Sequence, residues 1–165
     1  MLEPKEREII LGIDPGLAIT GFGVIVKKNK NVKVLASGCI RTSPRADSGE
    51  RLHKIQKELK KLIRKFKPDI LATEEIFFAK NAKTALKVGE ARGIILLSAY
   101  SANVPVKEFS PLQVKQAITG YGRAEKKQMQ KMVKVLLNLK DIPRPDDAAD
   151  ALAIAICYAQ TKKYF

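Results

Sequence analysis

After a charged N-terminal segment, the chain runs into the apolar stretch "EIILGID" (8–14) and stops at Pro15-Gly16. A short apolar run closed by turn residues predicts a buried strand. "TGFGVIVKK" and "NVKVLASGCIRT" follow, joined at "KKNKN", and together they predict an antiparallel meander. The period then changes. In "DSGERLHKIQKELKKLIRKF" the residues Leu52, Ile55, Leu59, Leu62, Ile63 and Phe66 recur at helical spacing, with lysines on the other face. Pro68 stops that helix, and "DILATEE" (69–75) predicts the next strand. A long helix is expected through "AKTALKVGEARGIILLSAYSAN", ended before Pro105, and "VKEFS" is a fifth strand. Ser110-Pro111 is an N-cap and first-turn pair for a helix over "PLQVKQAIT". "GYG" breaks it, and "AEKKQMQKMVKVLLNL" and "RPDDAADALAIAICYAQTKK" form the last two helices.

The order is three strands, helix, strand, helix, strand, then helices. A strand-helix-strand link predicts a fourth strand parallel to its sheet neighbour through a right-handed crossover. The fold class is therefore α/β, with a mixed five-stranded sheet whose first three strands are antiparallel, flanked by helices. No internal repeat, low-complexity tract or linker is visible. One domain over 1–165 is expected, long enough to bury a core without staples.

Charge changes the picture from fold to partner. Lys and Arg number 31 against 17 Asp and Glu, a net +14. The basic residues are spread through the chain, so a folded surface carries the positive field, and the commonest partner for such a field is a polyanion. Cys39 and Cys157 lie far apart in apolar contexts with no C-x-x-C pair, which fits free thiols in a reducing cytosol. The N-terminus has no apolar signal region, and no run approaches the roughly 20 residues needed to cross a bilayer. These features predict a cytoplasmic protein with no membrane partner.

Against that basic background three acidic sites stand out. Asp14 closes the first strand on the same face as Ile10 and Gly12, at the carboxyl end where open α/β sheets place ligand sites. An Asx turn before Pro-Gly is the plainer explanation for that residue alone. Glu74 and Glu75 close the fourth strand on opposite faces, so only one of them can point into a given site. In "DDAADALAIAI", Asp147 shares a helix face with Asp150, and Asp146 also shares one with Asp150. Helix capping accounts for part of that cluster. It accounts poorly for Asp150, which borders the apolar "ALAIAI" and needs a positive partner.

Carboxylates converging on one point suit hard divalent cations, and Mg²⁺ bridges protein carboxylates and phosphate oxygens. Two such ions about 4 Å apart can activate a water and stabilise the leaving oxygen of a phosphodiester. No Cys/His set suggests zinc, and the lone His53 reads as a solvated helix residue. A basic surface with an acidic, metal-holding pocket is what a nuclease requires.

"LGIDPGLAITGFGVI", "SGCIRT", "EEIFFAKNAKTALKVGEARG", "QVKQAITGYGRAEKKQMQ" and "DDAADALAIAI" together resemble the RuvC family of Holliday-junction resolvases, in order and spacing, from about Ile9 to about Ala159. The resemblance implies a ribonuclease-H-like fold, a homodimer and Mg²⁺-dependent symmetric nicking of four-way DNA junctions. It implies two Mg²⁺ ions per site, with Mn²⁺ able to substitute, and a branch-migration helicase complex of the RuvA-RuvB type as partner.

Residue by residue, the family's catalytic and metal-binding acids fall on Asp14, Glu74, Asp147 and Asp150. Glu75 stands where the family commonly has glutamine and is a departure from the pattern; on the strand alternation it is expected to point away from the metals and to be dispensable, and Asp146 reads as an extra acid beside the motif. Phe77 matches the family's junction-probing aromatic, although a core role for either phenylalanine of "FFAKN" is the simpler alternative. Lys115 and Lys126 match basic positions near the scissile phosphate. Lys80, Lys83, Arg92, Arg123 and Lys127 are expected DNA-backbone contacts. The long helix from Ala82 is expected in the dimer interface.

Two other functions compete. A non-catalytic junction- or duplex-binding protein would use the same basic surface but would not need three separated acidic sites. An actin-like or sugar-kinase-type ATPase is suggested by "GIDPGLAITGFG", but those folds need two such lobes and 165 residues supply one.

Overall fold

The structure is a computed structural model describing residues 6–76 and 81–161. Its first strand, β1 (Arg7–Asp14), pairs antiparallel with β2 (Ile19–Lys28), which pairs antiparallel with β3 (Asn31–Arg41). The β2–β3 turn places Asn29 at φ 56°, a left-handed conformation that asparagine tolerates better than most residues. Helix α1 (Ser48–Phe66) leads to β4 (Ile70–Glu74), then α2 (Ala82–Ser101) and β5 (Val106–Phe109). The chain ends in α3 (Pro111–Thr119), α4 (Lys126–Leu136) and α5 (Asp146–Thr161). The strand order is β3-β2-β1-β4-β5, with β4 parallel to both β1 and β5. This is the mixed α/β sheet that the hydrophobic pattern predicts.

Boundaries move for local reasons. Asp47 caps α1 from outside, its carboxylate accepting from the Glu50 backbone N–H, so the helix begins one residue later than the pattern suggests. β4 is shorter than 69–75. Asp69 accepts from the Ile9 N–H through its side chain (2.8 Å) and donates its own N–H to the Ile9 carbonyl (2.8 Å), fixing the strand's entry before β4 begins. Around α3 the sequence signal is exact in register: Ser110 and Gln113 form a reciprocal capping box over a helix that starts at Pro111.

The sheet carries a core on each face. Ile10, Ile25, Ile70 and Ala72 pack with α5 and with Val114 and Ile118 of α3. Leu11, Ile13, Val24 and Leu71 pack with Leu59 and Ile63 of α1 and with Ile95 and Ala99 of α2. α5 is buried almost all round after its first turn, as its unbroken apolar run requires.

The seating of α5 depends on glycine. A Cβ on Gly12 would stand 2.1 Å from the Ala151 carbonyl, one on Gly21 2.1 Å from the Asp147 carbonyl, and one on Gly23 2.7 Å from a Leu152 methyl. β1–β2 register pairs Gly12 with Gly23, and Asp14 with Gly21. The three glycines therefore form a floor for α5: its backbone rests directly on Gly12 and Gly21, and the Leu152 side chain presses on Gly23. Among the described residues, no helix is long and apolar enough to cross a membrane.

Candidate active site

Strand alternation places Asp14 on the α5 face of β1, together with Ile10 and Gly12. The β1–β4 register runs Ile10–Ile70 to Ile13–Thr73, so Asp14 and Glu74 follow as the next residues at the same end of two parallel neighbours. α5 brings its first turn to that end, because Gly21, the partner of Asp14, lies against the Asp147 backbone. Three elements distant in sequence thus deliver Asp14, Glu74, Asp147 and Asp150 to one edge of the sheet.

Two adjoining hollows record this convergence. The larger, about 440 Å³, is lined by Asp14, Pro15, Glu74, Glu75 and Asn81 among others. The smaller, about 260 Å³, is lined by Glu74, Lys115, Lys126 and Asp150, with Val114 and Ala124 beside them. Glu74 borders both.

Burial first, and neighbouring like charges second, raise three of these carboxyls. Asp14 is pushed up from 3.8 to about 8, first by burial and then by the charges of Asp150, Glu74 and Asp147, with Lys126 pulling the other way. Burial likewise raises Glu74, with Asp150 adding and Lys115 opposing. Asp150 is raised by burial against the pull of Lys126, with Asp147 and Asp146 adding. Burial pulls Lys126 down, but the Asp150 and Asp146 charges outweigh it and the ammonium ends above its ordinary value. Glu75 is exposed, lies just beyond the last residue of β4, and is not among the charges that shift the others. It stands at the rim of the larger hollow, nearer the acids than strict alternation implied, because the strand ends before it.

Lys126 Nζ lies 3.4 Å from Asp146 Oδ2 and 3.7 Å from Asp150 Oδ2, and Arg144 Nη1 lies 3.8 Å from Asp146 Oδ1. Asp146 therefore has a task that the sequence did not display: with Asp150 it holds the first residue of α4 against the first turn of α5. Only the tertiary crossing of these helices brings the pair together.

Among the described residues, no three His, Cys, Asp or Glu side chains stand close enough together to hold one metal ion. The donors are nonetheless of one chemistry, all carboxylate oxygens, and their mutual repulsion is what a hard divalent cation would relieve. In type and charge the set fits such an ion; in side-chain placement Asp14, Glu74 and Asp150 are spread around two adjoining hollows.

The remaining expected contacts are distributed unevenly. Lys115 lines the smaller hollow. Lys127, on the first turn of α4, and Arg123, in the α3–α4 loop, are exposed, as is Lys83 on the first turn of α2. Arg92 is engaged elsewhere: its Nε and Nη2 meet Glu108 Oε1 at 2.7 and 2.5 Å, tying α2 to β5. Phe77 and Lys80 lie outside the described residues.

A family model described as crossover junction endodeoxyribonuclease RuvC matches residues 10–158. A crossover junction endodeoxyribonuclease RuvC of Desulforamulus reducens is 55% identical over 157 residues, covering 95% of this chain and 96% of the relative. The solved structure of Thermus thermophilus RuvC in complex with a Holliday junction substrate superimposes with a TM-score of 0.89 at 39% identity, covering 94% of this chain and 95% of that one. The yeast mitochondrial Holliday junction resolvase Ydc2 shares the fold, with a TM-score of 0.67 at 16% identity over 94% of this chain and 82% of that one.

Proposed function

This chain belongs to the RuvC family of crossover junction endodeoxyribonucleases, and from that premise we propose that it resolves four-way (Holliday) DNA junctions by metal-dependent phosphodiester hydrolysis, nicking two strands symmetrically during recombination and repair. The observation that carries this reading is the acid group at one sheet edge of a chain whose net charge is +14: Asp14, Glu74 and Asp150 are raised by burial and neighbouring acid charge, and the charge of Asp147 adds to the rise of Asp14 and Asp150. A protein that merely bound DNA would lose stability by burying such a group and gain nothing from it.

Asp14, Glu74, Asp147 and Asp150 are the ligands in this reading, for two Mg²⁺ ions that Mn²⁺ can replace. Such ions, when bound, supply Lewis acidity at the scissile phosphate and make an attacking water more acidic. Asp14 must first release a proton, because its carboxyl is held protonated up to about pH 8 without a cation. Lys126 then exchanges Asp150 for a phosphate oxygen, and Lys115 meets the same strand from α3, since both ammonium groups line the smaller hollow. Lys83, Arg123 and Lys127 extend the cationic surface along the backbone, with Lys80 as a further contact and Arg92 reaching a phosphate by exchanging its Glu108 partner, and Phe77 stacks at the crossover.

The active species is a homodimer, one site per chain. Support comes from α2, where Leu86, Gly93, Leu97 and Tyr100 recur at helical spacing and the three large side chains are 66%, 52% and 83% exposed. Two-fold pairing matches the near two-fold symmetry of a four-way junction. The whole of 1–165 acts as a single nuclease domain in the cytoplasm, working with a branch-migration helicase complex of the RuvA-RuvB type.

A synthetic four-way junction and a linear duplex of matching sequence, each incubated with Mg²⁺ or with chelator, test the reading. Paired nicks in the junction, dependent on Mg²⁺ and absent from the duplex, are expected. Equal cutting of both substrates, or cutting in chelator, would refute it.

A further inference from the structure

The "GYG" that separates α3 from α4 does more than interrupt a helix. α3 closes on Gly120, at φ 74°, whose N–H bonds the Gln116 carbonyl at 2.8 Å. Tyr121 is then gripped at both backbone atoms. Its N–H donates to the Thr119 hydroxyl oxygen (3.2 Å), and its carbonyl lies 3.0 Å from that hydroxyl and accepts from the Ala124 N–H at 3.3 Å. Thr119 Oγ1 is itself 2.8 Å from the Lys115 carbonyl. On the other side, Gly122 is pressed so closely on α3 that a Cβ there would stand 2.4 Å from the Leu112 Cδ1.

The consequence is a loop with a fixed backbone and an unfixed ring. Tyr121 is 58% exposed, and among the described residues its side chain has no hydrogen bond or ring contact. Folding leaves a large aromatic surface in water on a rigid mount, which is how a surface ready for a flat partner is built. Its neighbourhood identifies the partner. Ala124, bonded to the Tyr121 carbonyl, lines the smaller hollow together with Lys115 and Lys126, and Arg123 is exposed next in the chain. A ring bordered by cations that track a backbone is the combination by which single nucleic-acid strands are held.

We propose that Tyr121 stacks on an unpaired base of the DNA strand that enters the smaller hollow, so that the α3–α4 loop positions the strand beside Lys115 and Lys126. This rests on the junction-cutting reading and adds a contact that the acid group does not supply.

The test separates binding from cutting by placing every variant on an Asp14→Asn background. The probe is a synthetic four-way junction carrying 2-aminopurine at the crossover, read by fluorescence intensity and by anisotropy. Tyr121→Ala should bind at least about fivefold more weakly and lose the stacking-dependent intensity change, whereas Tyr121→Phe should stay within about twofold of the parent. Unchanged thermal unfolding of both variants assigns the loss to the contact and not to the fold. Parent-like affinity and intensity change in Tyr121→Ala would overturn the proposal, and so would a Tyr121→Phe as weak as Tyr121→Ala. Absence of junction binding by the Asp14→Asn chain itself would overturn the junction-cutting reading, and this contact with it.

Discussion

On one face of the sheet Leu11, Ile13, Val24 and Leu71 meet Leu59, Ile63 and Ile95 in one cluster of buried aliphatic side chains. On the other, beneath α5, Gly12 and Gly21 meet helix backbone with almost nothing between, and Gly23 meets Leu152. The first arrangement buries the apolar area that stabilises the domain. The second sacrifices some of that area so that a helix N-terminus bearing acids comes within electrostatic reach of two strand ends. One face is built to hold and the other to position, and substitutions on the two should fail in different ways.

The largest effect is expected at Asp14. Asp14→Asn should lower the rate of junction nicking at least about a thousandfold while leaving junction binding in place, because the lost term is transition-state stabilisation of several kcal/mol. Single-turnover rates and a parallel binding titration measure the two quantities.

Next come the packing contrasts. Gly21→Ala must drive a methyl into the Asp147 carbonyl 2.1 Å away, so α5 has to lift from the sheet. Nicking by the folded fraction should fall sharply. Leu59→Ala on the other face should cost about 2–5 kcal/mol of stability yet leave the folded protein cutting at its usual rate. If Gly21→Ala cuts normally, or Leu59→Ala loses activity without losing stability, the division between faces is wrong.

A finer contrast lies within one dipeptide. Glu74→Gln should nearly abolish nicking, and Glu75→Gln should cut close to the parent rate, since Glu75 is outside the coupled group although it borders the same hollow. Equal losses would place both carboxylates at the site.

The smallest effect is a stability change with a defined sign. Asp14 is raised above its unfolded value, so its protonated form is favoured by folding. That contribution is complete below about pH 4 and is lost as pH rises toward about 8. In chelator the parent should therefore lose stability across this window, and Asp14→Asn should lose less, by on the order of 3 kcal/mol at the upper end once partial solvation is allowed for. Thermal unfolding at pH 5 and pH 8 measures it. A parent as stable at pH 8 as at pH 5 would show that the carboxyls do not strain the fold.

Much of this was legible before any coordinates. The apolar runs announced the five strands and the antiparallel pairing of the first three, period-2 alternation allowed only one of Glu74 and Glu75 into the site, and the family resemblance chose Glu74. Spacing on α5 paired Asp147 with Asp150. What remained hidden were contacts decided by how elements cross. A glycine in a strand does not name the helix that will rest on it, so the floor of Gly12, Gly21 and Gly23 was invisible. Asp146 gave no sign of Lys126, twenty residues earlier on another helix. Arg92, expected on DNA, stands in an ion pair with Glu108 that only the packing of α2 against β5 creates. Glu75 came nearer the site than alternation implied because β4 stops one residue sooner.

The most direct measurement is calorimetric titration of the parent, Asp14→Asn and Asp150→Asn with Mn²⁺ at pH 8, without DNA. If carboxylates from β1, β4 and α5 act as one ligand set, the parent binds with proton release and each variant loses most of its affinity, although the two residues are far apart in sequence. Undiminished Mn²⁺ binding in both variants would contradict a shared site.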